Sequence, residues 1–275
     1  KKILSSGTST NVKSKIFLDK ENSKNQSIVL SKIMKEIIGE KRIPFLIVDT
    51  NPSENDNKSE ISARIAGLSG YLMSSSEQHF LLDKNLNLDI KYFKKLVDRY
   101  KKNKKEIIII GYTSIIFQKL LKNKMNIKFP KKTKLIHFGG WKKLKNIAIT
   151  KKKLNSKIKR YLGIQIDNIY DIYGFSEQLG TIYPSRGNRG CRVPAYSEII
   201  VRDTNSLEVL PNGKIGFLQF ISPLPTSYPG ISILNDDLGR ILKKEKNYTE
   251  FEVVGRLEES EERGCGDTLP RDYYI

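Results

Sequence analysis

The sequence predicts an α/β fold, a mostly parallel sheet flanked by helices and followed by a β-rich subdomain, and three observations carry that expectation. Short apolar runs of strand length alternate with longer stretches whose apolar residues recur at helical spacing. The alternation ends near Tyr173, beyond which strand-like runs follow one another. A length of 275 residues suffices for one large unit, or two small ones, with buried cores.

Ile3, Leu4, Ile16, Phe17 and Leu18 flank a Ser/Thr/Gly loop, which predicts a hairpin-like pair over 3–18. Ile28, Val29, Ile33, Ile37 and Ile38 then fall at helical spacing across 24–39 and stop at Gly39, a residue suited to a helix end. A short buried strand is expected over 44–49, then a helix over 59–68, a strand near Phe80 and a helix over 88–103. Next come a strand over 106–110, a helix over 113–123, a strand over 134–138, a helix over 155–162 and a strand around Ile169. Strands over 198–201, 215–221 and 251–254 complete the pattern, and 51–58 reads as a mobile loop. Parallel sheets of this kind gather ligands at the carboxyl ends of their strands.

No run approaches the ~18 apolar residues of a membrane span, and no charged-then-apolar leader opens the chain. Its first residue is Lys1, and a motif begins almost at once, so a preceding natural segment is expected. Cys191 and Cys265 are too few for a disulfide framework and lack zinc-site spacing, which points to a reducing cytoplasm. The net charge of +19 raises a polyanion-binding reading. Lys101, Lys102, Lys104 and Lys105, however, end an expected helix, where cations suit the dipole, and Lys151 to Lys153 precede another. The chain is also rich in Lys, Asn and Ile, a bias that AT-rich coding produces without selecting a ligand, so the charge reads as solvated surface and no specific nucleic-acid partner is expected.

Three constellations carry chemistry. Ser5, Ser6, Gly7, Thr8, Ser9 and Thr10 run on to Lys13 as a hydroxyl-rich turn closing on a cation, which suits phosphate; Ser/Thr/Gly turns are also ordinary hairpin connectors. Tyr173, Gly174, Phe175, Ser176 and Glu177 follow an apolar strand. There a Tyr can stack on a base and a Glu can hold Mg²⁺, or a core Tyr can simply precede a helix. Asn235-Asp236-Asp237-Leu238-Gly239-Arg240 reads as a turn whose carboxylate can take ribose hydroxyls, and Gly255-Arg256 brings a phosphate-neutralising cation.

In order and spacing these constellations resemble the adenylate-forming acyl-CoA synthetases. That resemblance implies that Ser5 to Lys13 hold the β- and γ-phosphates of ATP, with Thr10 where Gly or Ser is usual. It also implies that Tyr173 stacks on adenine, Ser176 replaces the usual Thr, Glu177 binds Mg²⁺ and Asp237 binds ribose, with Arg256 at a hinge. The stretches Ser5 to Lys13, His137-Phe138-Gly139-Gly140-Trp141-Lys142, Tyr173 to Glu177 and Gly255 to Cys265 further resemble the LuxE-type acyl-protein synthetases over nearly the whole chain. The implied division is an α/β nucleotide-binding subdomain over 1–172, a β-rich subdomain over 173–254 completing the ATP site, and a hinge and tail over 255–275.

By analogy Cys265 is the acyl acceptor, with Gly266 where Ser is expected, and Arg263 beside it would lower the thiol's pKa. Thr8, Lys13 and Glu177 are assigned to the triphosphate and its metal, and Gly139, Gly140 and Trp141 to the wall facing the acyl group. Activation of a fatty acid to acyl-AMP and transfer to a thiol follows. An acyl-reductase or acyl-transferase partner is expected. Cys191, in an expected loop rich in Gly and Arg, reads as incidental. The alternatives are an acyl-CoA ligase of the phenylacetate type and, from another class, a polyanion-binding or interaction protein with an inactive adenylation fold.

Overall fold

Two kinds of strand sequence, continuous aliphatic runs and alternating ones, mark two compact units in a computed structural model that describes residues 2–4, 15–52, 63–122, 124–141 and 147–256. Strands β1, Lys2–Leu4, and β2, Lys15–Phe17, pair antiparallel, with Ile3 opposite Ile16, as the expected hairpin. Helix α1, Lys20–Ile38, follows. Asp19 opens it by accepting from the Asn22 amide (2.7 Å), and Gly39 ends it at φ +93°, a conformation that costs glycine least.

One unit comprises residues 34–171 and 186–188 among those described. Its parallel strands are β3, Ile43–Thr50, β4, Ser75–Leu82, β5, Ile108–Tyr112, and β6, Lys134–Phe138. Strand β3 lies between β4 and β5, β6 pairs with β5, and β7, Ile169–Tyr173, comes next in order. Every residue of β5 and seven of eight in β3 are buried, as a sheet covered on both faces requires.

The helices of this unit are α2, Ala63–Leu72, α3, Ile90–Lys102, α4, Thr113–Ile116, and α5, Lys151–Leu162. The expected helix over 113–123 is realised as α4 running directly into a π-helical turn, Phe117–Leu121. Helix α5 starts earlier than its apolar spacing indicates, because Thr150 caps it by accepting from the Lys153 amide. Lys151 to Lys153 therefore occupy its first turn instead of preceding it, against the helix dipole. Lys151 lies 4.0 Å from Asp171, which offsets one of these charges.

The other unit holds residues up to Ile33, then 172–185 and 189–256 among those described. Its strands are β8, Tyr183–Arg186, β9, Cys191–Arg192, β10, Glu198–Arg202, β11, Gly216–Ile221, β12, Ser232–Glu245, and β13, Tyr248–Arg256. They pair antiparallel in the order β10-β11-β12-β13-β9-β8. Alternate residues of β10 and β11 point into a core of Tyr183, Ile199, Val201, Leu218, Phe220 and Phe251. Cys191, expected in a loop, instead lies on β9, where pairing with β8 and β13 buries it in that core. Asn235 to Gly239, expected to form a turn, instead lie within the long strand β12. The register slips between Leu238 and Gly239, which hides the strand's period from its sequence.

Candidate active site

Strand β7 ends on Tyr173, a half-buried residue whose ring stacks on Phe220 (5.6 Å between centroids, 25° between planes). Phe251 meets the ring edge-on at 6.0 Å. The Tyr173 hydroxyl donates to Asp237 Oδ2 at 2.6 Å and accepts from Asn235 Nδ2 at 3.0 Å. Asp237 and Arg256 are direct partners across β12 and β13, and Arg256 Nε donates to Asp237 Oδ1 at 2.8 Å. Asp237 is 8% exposed, so this charge-assisted contact sits largely out of water.

The electrostatics follow from that burial. The Tyr173 hydroxyl is pushed well above its ordinary pKa, first by burial and then by the charge of Asp237. Burial works against the Arg256 cation, yet Asp237 overcomes it and holds the guanidinium above its usual value. Each Asp237 oxygen carries one of these protein donors, and a carboxylate has about four acceptor sites, so lone pairs remain for further donors.

Gly174 is exposed and needs neither an unusual φ nor a close approach within the chain: an added Cβ would meet Ile182 at an ordinary 3.6 Å. Folding therefore does not demand glycine there, whereas approach of a ligand to the backbone would. Phe175 packs its ring on Phe220 (4.9 Å). Ser176 and the partly exposed Glu177 lie on a 3₁₀ turn, Ser176–Gln178.

Gln178, which sequence reasoning missed, fixes that turn. Its Nε2 donates to the Gly230 and Phe220 carbonyls at 2.9 and 3.2 Å, and its Oε1 accepts from Tyr183 at 3.3 Å. A polar residue directly after Glu177 and almost fully buried was the only available signal, and burial is invisible in one sequence.

In the α/β unit, Gly139 and Gly140 follow β6. Gly139 has φ +72°, so its glycine serves the backbone, while Gly140 is exposed with nothing within 4 Å of an added Cβ. Trp141 stands edge-on to Phe117 at 5.0 Å. Behind them Thr113 Oγ1 donates to the Phe138 carbonyl at 3.2 Å and lies 2.9 Å from His137 Nδ1, an arrangement that assigns the proton to Nδ1. Burial lowers the His137 pKa, the nearby Asp171 carboxylate (3.6 Å) partly restores it, and Lys151 lowers it again. His137 Nε2 is buried with no partner among the described residues.

The phosphate-loop residues Ser5, Ser6, Gly7, Thr8, Ser9, Thr10 and Lys13 lie outside the described residues, as do Cys265 and 53–58 of the expected loop. Among the described residues no group of three or more His, Cys, Asp or Glu could hold a metal. The fold brings Tyr173, Asp237 and Arg256 together, and sets Gly139, Gly140 and Trp141 side by side in the other unit.

A family model described as "Acyl-protein synthetase, LuxE" matches residues 1–273. The chain is similar to a long-chain-fatty-acid–luciferin-component ligase of Aliivibrio fischeri, 26% identical over 208 residues that make up 71% of this chain and 54% of the relative. It is also similar to the Vibrio harveyi ligase of the same description, 23% identical over 50% of this chain and 37% of that one. The alignments thus span about half, or less, of these curated relatives.

Solved structures with the same fold include ATP-bound MatB from Rhodopseudomonas palustris (TM-score 0.58, 15% identity, 93% of this chain and 47% of that one). Another is a 2-hydroxyisobutyryl-CoA ligase with 2-HIB-AMP and CoA (TM-score 0.60, 14% identity, 93% and 57%).

Proposed function

This chain belongs to the LuxE family of acyl-protein synthetases, and from that premise we propose that the full-length protein activates a fatty acid with ATP and loads the acyl group onto its own Cys265. The observation that carries the reading is the Tyr173, Asp237 and Arg256 cluster, in which an aromatic face, a carboxylate and a cation converge beside a fold-independent glycine, Gly174. These are the groups that a base, a ribose and a phosphate call for.

In the first step a carboxylate oxygen of the acid attacks the α-phosphorus of ATP, the bond to the β-phosphate bridging oxygen breaks, and pyrophosphate leaves with its electron pair. Ser5 to Lys13 bind the departing phosphates, Tyr173 stacks on the adenine, and Asp237, held by Arg256, takes the ribose hydroxyls. Glu177 suits Mg²⁺ because that ion uses one or two protein carboxylates together with substrate phosphates. Glu177 and Thr8 would hold such an ion, which would offset phosphate charge. Gly139, Gly140 and Trp141 form the wall against the acyl chain, where the exposed Gly140 leaves room.

In the second step the Cys265 thiolate attacks the acyl carbon, a C–S bond forms, and AMP departs with the electrons of the C–O bond; the thiol proton goes to solvent. Arg263 favours the thiolate. The acyl group then passes to a nucleophile of a partner of the acyl-reductase or acyl-transferase kind in the cytoplasm, the C–S bond breaking and the Cys265 thiol being restored by the acceptor's proton.

ATP–pyrophosphate exchange on the full-length protein, across a panel of carboxylic acids, tests the first step. Exchange that depends on long-chain acids supports the reading. A folded protein that neither binds Mg-ATP nor exchanges pyrophosphate would be an inactive adenylation fold serving interaction, and acyl transfer to added CoA alone would make it a CoA ligase.

A further inference from the structure

The excess positive charge is not spread along the chain. Residues from Asp89 to Leu162 carry 24 of the 49 Lys and Arg but 3 of the 30 Asp and Glu, a net +21 in a chain whose total is +19. Everything outside that stretch is close to neutral, at −2. A chain-wide coding bias towards lysine does not produce such a division, so the stretch needs its own explanation.

Its helices share one face of the α/β sheet. From β4 through α3 to β5, then through α4 to β6 and α5 to β7, the chain moves in one direction across the strand order, and right-handed crossovers place such helices on the same side. Side chains agree: Phe93 of α3 packs on Phe129 (5.7 Å), the Phe129 amide donates to Leu162 at the end of α5, and Lys128 Nζ donates to the Arg160 carbonyl. Helix α3 buries Phe93, Leu96, Val97 and Tyr100 and turns Lys91, Lys94, Lys95, Lys101 and Lys102 outward. Lys122, Lys124, Lys128, Lys131 and Lys132 continue the exposed charge towards Lys152, Lys153, Lys159 and Arg160 on α5.

We propose that this lysine-covered helical layer docks on the surface of an anionic phospholipid bilayer. Charge complementarity argues for a polyanion, and three features choose lipid. All but two of the 24 cations in the stretch, and all but Arg160 of the exposed ones just named, are Lys, whose mobile point charges suit a diffuse headgroup layer, while phosphate readout by paired hydrogen bonds favours the planar fork of Arg. Long aliphatic stems and the exposed Ile90 give the layer apolar contact with a headgroup boundary. A long-chain acid, the substrate under the reading above, resides in bilayers, so docking would bring the enzyme to it. The choice of lipid rests on that reading in this last respect alone, and vesicle binding is measured without acid or ATP, so either can fail independently.

The test is co-sedimentation of the full-length protein with phosphatidylglycerol-rich vesicles and with pure phosphatidylcholine vesicles. Binding is expected only to the anionic vesicles, and should vanish at about 0.5 M salt, where screening shortens to a few ångströms. Lys91→Gln, Lys94→Gln and Lys95→Gln together should weaken partitioning by roughly a hundredfold. The matched variant Lys20→Gln, Lys214→Gln and Lys246→Gln, on exposed positions of the other unit, should stay near wild type. Equal binding to neutral vesicles, or equal losses in the two variants, would overturn the proposal. So would displacement from vesicles by duplex DNA at matched phosphate concentration, which would make nucleic acid the occupant.

Discussion

The hydroxyl of Tyr173 and its ring do different jobs, and single substitutions separate them. Tyr173→Phe keeps the aromatic face but removes a donor to Asp237 and an acceptor from Asn235. Stability should fall by about 1–3 kcal/mol in urea unfolding while Mg-ATP affinity stays near wild type, because a buried carboxylate loses one partner and the stacking surface survives. Tyr173→Ala should weaken Mg-ATP binding strongly; calorimetry that finds both variants binding equally would remove the ring from the site. His137 sets a pH dependence of opposite character. Its folded pKa lies below the ordinary 6.5 because burial disfavours the charged ring, so the unfolded chain binds the extra proton first. His79, the only other histidine, is lowered by burial as well. Their combined contribution is full above about pH 6.5 and is lost as the pH drops below it. Urea midpoints between pH 7.5 and 5.5 should therefore decline, and His137→Gln should flatten the decline; an unchanged slope would show that His137 does not titrate in that window.

At the scale of elements, the strands of the α/β unit were legible because both faces are covered and their sequences are unbroken apolar runs: 134–138 is matched residue for residue, and 44–49 is extended by one residue at either end. Strand β12 was not legible, since the slipped register at Leu238 and Gly239 and its polar Asn235-Asp236-Asp237 stretch erase the two-residue period. The start of α5 was hidden for a related reason: a Thr cap followed by three lysines gives no apolar signal. Of the candidate site, Tyr173, Asp237 and Arg256 could be named from spacing and resemblance. Their mutual hydrogen bonds, and the anchoring of Glu177 through Gln178, depend on strand pairing and burial that one sequence does not display. The glycines after β6 offer a test of this layer. Gly139→Ala forces a side chain to φ +72° and should cost about 1 kcal/mol in stability, whereas Gly140→Ala should change stability by less than ~0.5 kcal/mol. If Gly140 faces the acyl chain, its variant should instead raise KM for long acids with kcat little changed.

On the scale of the whole molecule, the chain is charge-divided and chemistry-divided: the β-rich unit holds the cluster suited to nucleoside, and the α/β unit holds the glycine turn and the lysine layer. The family is described as acyl-protein synthetase, and the event on which the proposed function turns is a covalent thioester on Cys265. Adenylation does not use the sulfur, so the two half-reactions separate in one variant. The measurement is acylation of the full-length wild type and Cys265→Ser with labelled fatty acid, ATP and Mg²⁺, followed by hydroxylamine, with pyrophosphate exchange read on the same samples. Hydroxylamine-sensitive label on the wild type, none on the variant and equal exchange in both is the predicted result. Label that persists in hydroxylamine-sensitive form on Cys265→Ser, or transfer only to added CoA, would contradict it.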